Sequence, residues 1–240
     1  MSEIFRATAY LRGAEGEVAT AVPLTVVEPD GPTRGGIVVL HEARKFSPAL
    51  LNLMCALAGE GWVSVAPHLF HREPEHMQGE VFGDNLFADF DATLDWLVGR
   101  EVLADTIGVL GFDDAGTAAM LVATSRPVGA AVSVAARGGI VEALSVDAQA
   151  LVDAATSLQA PWLALYGEDD PSTPREHVTL LREATAKADV ATLVVSYAGL
   201  AHRADEPPQL SEDADLDDPD SASIIEAQTR IFDWFDSHLR

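Results

Sequence analysis

The sequence predicts an α/β protein with a mainly parallel, doubly wound sheet and helices on both faces of the sheet. Short β-rich apolar runs alternate along the chain with longer segments of helical periodicity, as they do in doubly wound folds. Most of the later runs are continuously apolar, which suits strands that helices cover on both sides. No Gly/Ser-rich or Pro-rich linker divides the 240 residues, so we expect a single domain over residues 1–240.

Seven of the apolar runs are predicted to be strands. They cover residues 22–27, 37–40, 62–66, 107–110, 130–134, 162–166 and 192–197. The first run alternates between apolar and polar residues more than the others do. We interpret it as one half of an antiparallel edge hairpin whose other half is residues 4–11.

Five segments between and after these runs have helical features. They cover residues 47–59, 85–98, 115–124, 175–187 and 223–239. The first begins with Ser47-Pro48, an N-cap followed by proline at the first helical position. Its apolar face contains Cys55, which we interpret as a buried structural thiol. As the only cysteine of the chain, Cys55 can form no intramolecular disulfide.

The chain is strongly acidic, and this excludes some classes of partner. A net charge of −23 repels nucleic-acid phosphates and anionic lipid. No apolar run approaches the ~20 residues of a membrane span, and the N-terminus lacks the layout of a signal peptide. We expect a cytoplasmic protein that acts on a small-molecule substrate, binds neither nucleic acid nor membrane and uses no cofactor. A monomer is the default expectation, with a homodimer as the alternative.

One segment, residues 204–220, concentrates acidic side chains near the C-terminus. We predict that it is a solvated acidic loop within the domain. Because it follows His202 directly, the alternative is that it borders the mouth of a pocket. In that position it would disfavour anionic substrates.

Candidate catalytic residues follow the predicted strands, where doubly wound folds bind their ligands. After the run 107–110 comes GFDDAG at residues 111–116, a variant of the nucleophile elbow that turns sharply from strand to helix. Asp113 stands at the nucleophile position. The N–H of Asp114 would face a developing oxyanion. The alternative is that Asp113 or Asp114 only caps the following helix.

Three further strand ends complete a possible catalytic set. Asp170 follows the run 162–166 and His202 follows the run 192–197, so the chain order is elbow, acid, histidine, as in α/β-hydrolases. His202 would act as base, and Asp170 would orient its ring and stabilise the imidazolium. After the run 37–40, the N–H of Glu42 or Ala43 is predicted to be the second oxyanion donor.

These segments together resemble the dienelactone hydrolase (carboxymethylenebutenolidase) family, from about residue 35 to the C-terminal helix. The strings that carry the resemblance are VVLHE at 38–42, VAPHLF at 65–70 followed by HR, GF at 111–112, YGEDD at 166–170 with Pro174, and YAGLAH at 197–202. The resemblance implies an α/β-hydrolase fold, with no large cap domain expected.

The resemblance also implies roles for individual residues. Asp170 and His202 match the acid and the histidine of the family, and Glu42 matches a glutamate that lies against its catalytic cysteine. Arg72 follows the Leu-Phe pair where the family often has an arginine. Arg203 lies near the place of an arginine that binds the substrate carboxylate, although the match is not clean.

The chain departs from the family at one decisive position. Where the family has its cysteine nucleophile, this chain has Asp113, so hydrolysis through a thiolate does not carry over. Attack by a carboxylate on an ester carbonyl would give a labile mixed anhydride. A carboxylate at the elbow resembles instead haloalkane dehalogenases and epoxide hydrolases, in which it displaces a leaving group at sp³ carbon.

The sequence therefore leaves several functions open. The first is a hydrolase of a small ester, lactone, epoxide or related substrate that uses Asp113, Asp170 and His202. Acid/base chemistry shared between Glu42 and Asp113 is a second route, because neighbouring carboxyls raise one of their pKa values. A hard cation between them is less favoured, since no metal-ligand spacing is present. The alternative to an enzyme is a ligand- or partner-binding module with altered catalytic residues.

Overall fold

Eight strands form one sheet at the centre of the structure, a computed structural model that describes residues 3–11, 20–73, 81, 84–136, 151–198 and 219–239. The strands are β1 (Ile4–Tyr10), β2 (Ala21–Val27), β3 (Gly35–Leu40), β4 (Trp62–Pro67), β5 (Ile107–Phe112), β6 (Ala130–Val134), β7 (Trp162–Gly167) and β8 (Thr192–Tyr197). Their order across the sheet is β1-β2-β4-β3-β5-β6-β7-β8.

Six helices pack on the two faces of this sheet. They are α1 (Pro48–Gly59), α2 (Asp84–Val98), α3 (Asp114–Ser125), α4 (Leu151–Ala154), α5 (Arg175–Thr185) and α6 (Pro219–His238) among the described residues. Buried side chains of α1 and α6 form one apolar layer with the sheet. Those of α2, α3, α4 and α5 form the layer on the opposite face. The predicted α/β architecture with helices on both faces is confirmed.

The strands from β3 to β8 are parallel to one another, with β4 beside β3. At one edge, β1 pairs antiparallel with β2, and β2 pairs antiparallel with β4. The expected edge hairpin is therefore present. The inner strands β3 to β7 are buried along their whole length, which explains why their sequences are continuously apolar.

The order of the strands reverses between β3 and β5. The chain leaves β3 through α1 to reach β4 on one side, then returns through α2 to β5 on the other side of β3. Such a reversal opens a crevice at the carboxyl ends of the two strands. The register pairs Leu40 with Gly111, so the segments that follow them start side by side.

Local signals explain where the helices begin and end. The Ser47 hydroxyl accepts a hydrogen bond from the Leu50 N–H, and Pro48 is the first residue of α1, as predicted. The helix α4 was not predicted, because four residues are too few to show a 3.6-residue period. Cys55 is half-buried rather than fully buried, since it lies at the edge of the apolar layer. The acidic segment 204–220 lies almost wholly outside the described residues.

In the described part of the chain, no helix is long and apolar enough to span a membrane.

Candidate active site

The turn from β5 into α3 places Asp113 in a strained backbone conformation. Its φ is 54° and its ψ is −124°, a region that residues with a side chain rarely adopt. Asp113 precedes the first residue of α3, but its side chain makes no capping hydrogen bond to that helix. The helix-cap interpretation of Asp113 is therefore wrong. The side chain is almost fully buried, at 2% exposure.

Small residues allow this turn to be tight. A Cβ on Gly111 would lie 1.9 Å from the carbonyl oxygen of Ala115, and a Cβ on Gly116 would lie 3.1 Å from that of Val134. The Asp113 N–H donates to the Val134 carbonyl at 3.0 Å. These contacts fix the backbone of Asp113 against the end of β6. The predicted elbow is thus a tight turn that only glycine at position 111 permits.

A buried polar chain holds the start of α3 in place. The Ser133 hydroxyl donates to the Gly116 carbonyl at 2.6 Å, and the indole N–H of Trp162 donates to the Ser133 hydroxyl at 2.9 Å. Both side chains are fully buried. These two hydrogen bonds link β6 and β7 to the elbow. Nothing in the sequence around Ser133 predicts this role.

Glu42 and Ala43 lie in the segment that follows β3, beside the elbow. His41 begins this segment and is buried, with its ring centroid 6.1 Å from that of Phe112. The Ala43 N–H donates to Nδ1 of His41 at 2.9 Å. The N–H predicted to be an oxyanion donor thus has an acceptor in its own turn, and its role as a donor to substrate stays a prediction. No role was predicted for His41, although it directly follows a strand of the crevice.

Asp114 is the first residue of α3. Its N–H is therefore one of the N-terminal donors that an α-helix leaves without an intrahelical partner. The helix dipole favours negative charge at this end. Both properties suit the predicted role of Asp114 as an oxyanion donor, which stays a prediction.

Asp170 occupies the turn after β7 and is buried, at 4% exposure. Its carboxylate accepts a hydrogen bond from the Ser172 N–H at 2.7 Å, which fixes the side chain within its own turn. The expected partner His202, and also Arg203, lie outside the described residues. β8 ends at Tyr197, upstream of both. The pairing of Asp170 with His202 stays a prediction.

The guanidinium of Arg72 forms an ion pair within the protein. Its guanidinium donates to both carboxylate oxygens of Asp89, at 2.8 and 2.5 Å. Asp89 is buried within α2, and His71 also contacts its carboxylate at 3.3 Å. The fork of its guanidinium faces Asp89, and substrate binding by Arg72 stays a prediction. The partner could not be recognised from sequence, since it lies in the next helix.

Burial shifts the pKa of two tyrosines near these strand ends. Burial raises the pKa of Tyr166, the penultimate residue of β7, above its ordinary value. Burial also raises the pKa of Tyr197 at the end of β8, against the opposing effect of Arg230, whose Nε donates to the Tyr197 hydroxyl at 3.0 Å. Both phenols are therefore neutral at physiological pH.

Within the described residues, no group of three or more His, Cys, Asp or Glu side chains has the arrangement of a metal site.

Comparisons with known proteins bear on the family and the fold of this chain. The family model for dienelactone hydrolases matches residues 22–239. A protein of Salmonella typhimurium that bears the name carboxymethylenebutenolidase is 30% identical over 214 residues, covering 83% of this chain and 76% of that protein. A protein of Klebsiella pneumoniae crystallised under the name dienelactone hydrolase has a TM-score of 0.74 at 23% identity, covering 98% of this chain and 99% of that one. An acylaminoacyl peptidase of Pyrococcus horikoshii has a TM-score of 0.69 at 13% identity, where the match covers 42% of its length. The two structural matches show the α/β-hydrolase fold alone.

Proposed function

Because the chain belongs to the dienelactone hydrolase family, we propose that it is a hydrolase of small esters, lactones or epoxides whose reacting group is the Asp113 carboxylate. The observation that supports this most is the backbone of Asp113, which is strained at φ 54° while its side chain makes no capping hydrogen bond to α3. Strain of this kind persists where the surrounding structure enforces it, often at functional sites. Asp170 and His202 are the proposed acid and base.

The chemistry of a carboxylate determines the first step. One oxygen of Asp113 forms a bond to an sp³ carbon of the substrate, and the bond from that carbon to the ring or ester oxygen breaks. Glu42, on the adjoining segment, is the proposed proton donor to the leaving oxygen. The product of this step is an alkyl ester on Asp113.

A second step releases the product. His202 removes a proton from water, and the resulting hydroxide attacks the carbonyl carbon of the Asp113 ester. The N–H of Asp114 stabilises the oxyanion of the tetrahedral intermediate, while Asp170 stabilises the imidazolium. The intermediate expels the alcohol, which takes the proton from His202. The second proton of the water passes from the Asp113 carboxyl to Glu42, so the Asp113 carboxylate and the Glu42 acid are both restored.

A binding module of the same fold is the second candidate, and one pair of observations favours it. Ala43 donates its N–H to His41, and Arg72 is bound to Asp89. Two groups that would serve a hydrolase of carboxylated lactones thus have other partners. A binding module would retain the crevice and its ligand but convert nothing.

The experiment that separates these functions is a substrate screen with variants. The purified protein, Asp113→Asn and His202→Ala are each incubated with styrene oxide, a butyrolactone and benzyl acetate, and intact mass is recorded. We expect turnover by the unmodified protein on at least one substrate and none by Asp113→Asn. His202→Ala should accumulate an adduct of the substrate's mass, because its second step is blocked.

Asp169→Asn is the matched control for these variants. It removes a neighbouring carboxylate that is exposed and contacts Arg175 at 3.7 Å, and should leave turnover unchanged. Full turnover by Asp113→Asn would contradict the proposal. Absence of turnover on every substrate, together with saturable binding of one of them, would favour the binding module.

A further inference from the structure

A cavity of about 330 Å³ lies between the edge hairpin and the segment after β3. It is lined by Ile4, Phe5, Arg6, Thr25, Arg44, Lys45, Phe46, Leu51 and His68. Three of the 15 basic residues of the chain are among these nine, and the set contains no carboxylate. In a chain of net charge −23, this concentration of positive charge requires an explanation.

The cations of this cavity differ in what they already bind. The Arg44 guanidinium donates to the carbonyls of Phe70 and Glu73 and contacts the Glu73 carboxylate at 3.4 Å. Neither Arg6 nor Lys45 has an ion-pair partner in the part of the chain that the structure describes. The positive charge available to a ligand therefore comes from Arg6 and Lys45.

His68 lies beside Arg6 in this cavity, and its hydrogen bonds define its tautomer. Arg6 donates to its Nε2 at 3.3 Å, and the Thr25 hydroxyl lies 2.9 Å from the same nitrogen. Since arginine can only donate, Nε2 is an acceptor and the proton of the neutral ring is on Nδ1. Burial, then the charges of Arg6 and His71, lower the pKa of His68 below its ordinary value. The neutral ring can donate one further hydrogen bond through Nδ1.

Apolar rings line the cavity next to these donors. Phe46 stacks on the His68 ring with centroids 4.6 Å apart. The Phe46 ring centroid is also 6.2 Å from that of His41, which in turn is 6.1 Å from that of Phe112. This row of rings connects the cavity to the residue before Asp113. A ligand with a flat apolar part and a charged end fits such a lining.

We propose that this cavity is a binding site for an organic oxyanion, a carboxylate or phosphate monoester attached to a flat apolar group. Arg6 and Lys45 neutralise the oxyanion, and the rings of Phe46 and His68 pack against the apolar part. The negative charge of the whole protein does not prevent this, because charges beyond the Debye length of about 8 Å are screened at physiological ionic strength. Binding here does not depend on the reactivity of Asp113.

The test is a titration of the full chain followed by the imidazole NMR signals, with the His68 signal assigned by its absence in His68→Asn. The probes are phenyl phosphate, benzoate, inorganic phosphate and the uncharged benzyl alcohol. We expect saturable shifts of the His68 signal with phenyl phosphate or benzoate. The pKa of His68 should rise in the complex, since a bound anion stabilises the imidazolium. The relative affinities of the two aromatic anions identify phosphate or carboxylate as the preferred group.

The two lysines of the chain give a matched control. Lys45→Gln should weaken binding of the aromatic anion by about fivefold, as expected for loss of one partly solvated charge contact. Lys187→Gln removes the same charge from an exposed position on another part of the surface and should not alter the affinity. The proposal is overturned if no aromatic anion gives a saturable shift, if the two variants weaken binding equally, or if benzyl alcohol binds as tightly as benzoate.

Discussion

The backbone of Asp113 has a conformation that favours glycine, yet the residue carries a carboxylate side chain. At φ 54° and ψ −124°, a residue with a Cβ is strained by about 1–3 kcal/mol. Ser133 and Gly116, with the hydrogen bond from Asp113 to Val134, hold the turn in that conformation. The site therefore stores strain at the residue that is proposed to react.

Replacing Asp113 should reveal this strain. Asp113→Gly relieves this backbone strain. The greater conformational freedom of glycine in the unfolded chain lowers the free energy of unfolding by about 0.4–1 kcal/mol, which offsets part of that gain. Asp113→Ala loses the same carboxylate but keeps a Cβ at positive φ. We expect the glycine variant to be more stable than the alanine variant by about 1 kcal/mol, or roughly 2–4 °C in Tm. Equal melting temperatures in calorimetry would contradict the strained backbone.

The role of Arg72 can be tested at the same scale. Arg72→Ala leaves the carboxylate of Asp89, which is only 1% exposed, without its bidentate partner. Loss of one member of a buried ion pair lowers the free energy of unfolding by about 3 kcal/mol or more. Because Arg72 is 23% exposed, solvent screening reduces the expected loss to about 2 kcal/mol. Urea unfolding should show this loss. An unchanged unfolding midpoint with a raised KM for a carboxylated substrate would support the substrate-binding role.

Some residues of the site could be predicted from sequence and others could not. Asp113 and Asp170 follow apolar runs, so their place at the carboxyl ends of strands was evident from the pattern. The partners of Ala43 and Arg72 were not evident from sequence. The partner of Ala43 is a side chain of the same turn and that of Arg72 is a side chain of the next helix, and the orientation of both is set only by folding. Ser133 lies within an apolar run, where a single serine gives no sign that its hydroxyl supports the elbow.

At the scale of elements, the junction of β5 and α3 depends on how closely the strand and helix approach. A Cβ at position 111 would lie 1.9 Å from a backbone oxygen, and backbone cannot move aside as a flexible side chain does. Gly111→Ala should therefore disrupt the elbow and destabilise the protein by at least about 3 kcal/mol, the upper range for overpacking. Soluble yield and Tm measure the effect.

Gly31→Ala is the control for this substitution. Apart from its chain neighbours, no atom of the described residues lies within 4 Å of the position that its Cβ would occupy, and it stands in the exposed turn before β3. It should change Tm by less than about 2 °C. If Gly111→Ala were as well tolerated, the close approach of β5 and α3 would be wrong.

Most of the sheet was predictable at this scale, and the reason is its burial. The inner strands lie between two helical layers, so their sequences are continuously apolar and stand out from the amphipathic helices. Helix α4 escaped prediction because it is only one turn long. The strand order was not predicted, since apolar patterns identify strands but not their neighbours.

For the whole molecule, the net charge of −23 has two opposing consequences for stability. Excess carboxylates repel one another, while individual carboxylates form ion pairs with nearby cations. Exposed pairs such as Arg100 with Glu28 at 2.7 Å contribute at most about 1 kcal/mol each. Repulsion among the excess carboxylates acts over the whole surface and opposes the compact state. We infer that repulsion dominates over the surface ion pairs.

Salt should therefore stabilise this protein. Raising NaCl from about 20 mM to about 200 mM shortens the Debye length severalfold and should raise Tm by several degrees. KCl should have the same effect, since screening does not depend on the identity of the cation. A fall in Tm with added salt would show that ion pairs outweigh the repulsion.

The central claim is that the carboxylate of Asp113 attacks the substrate, and isotope transfer tests it most directly. With a substrate identified by the screen, the protein turns over in H₂¹⁸O, and the peptide that contains Asp113 is then isolated for mass spectrometry. In the proposed second step, water attacks the carbonyl of the Asp113 ester, so repeated turnover should place ¹⁸O in the Asp113 carboxylate. Product formed in a single turnover should contain unlabelled oxygen from Asp113. Labelled product with no ¹⁸O in that peptide would mean that water attacks the substrate directly, and would contradict the account.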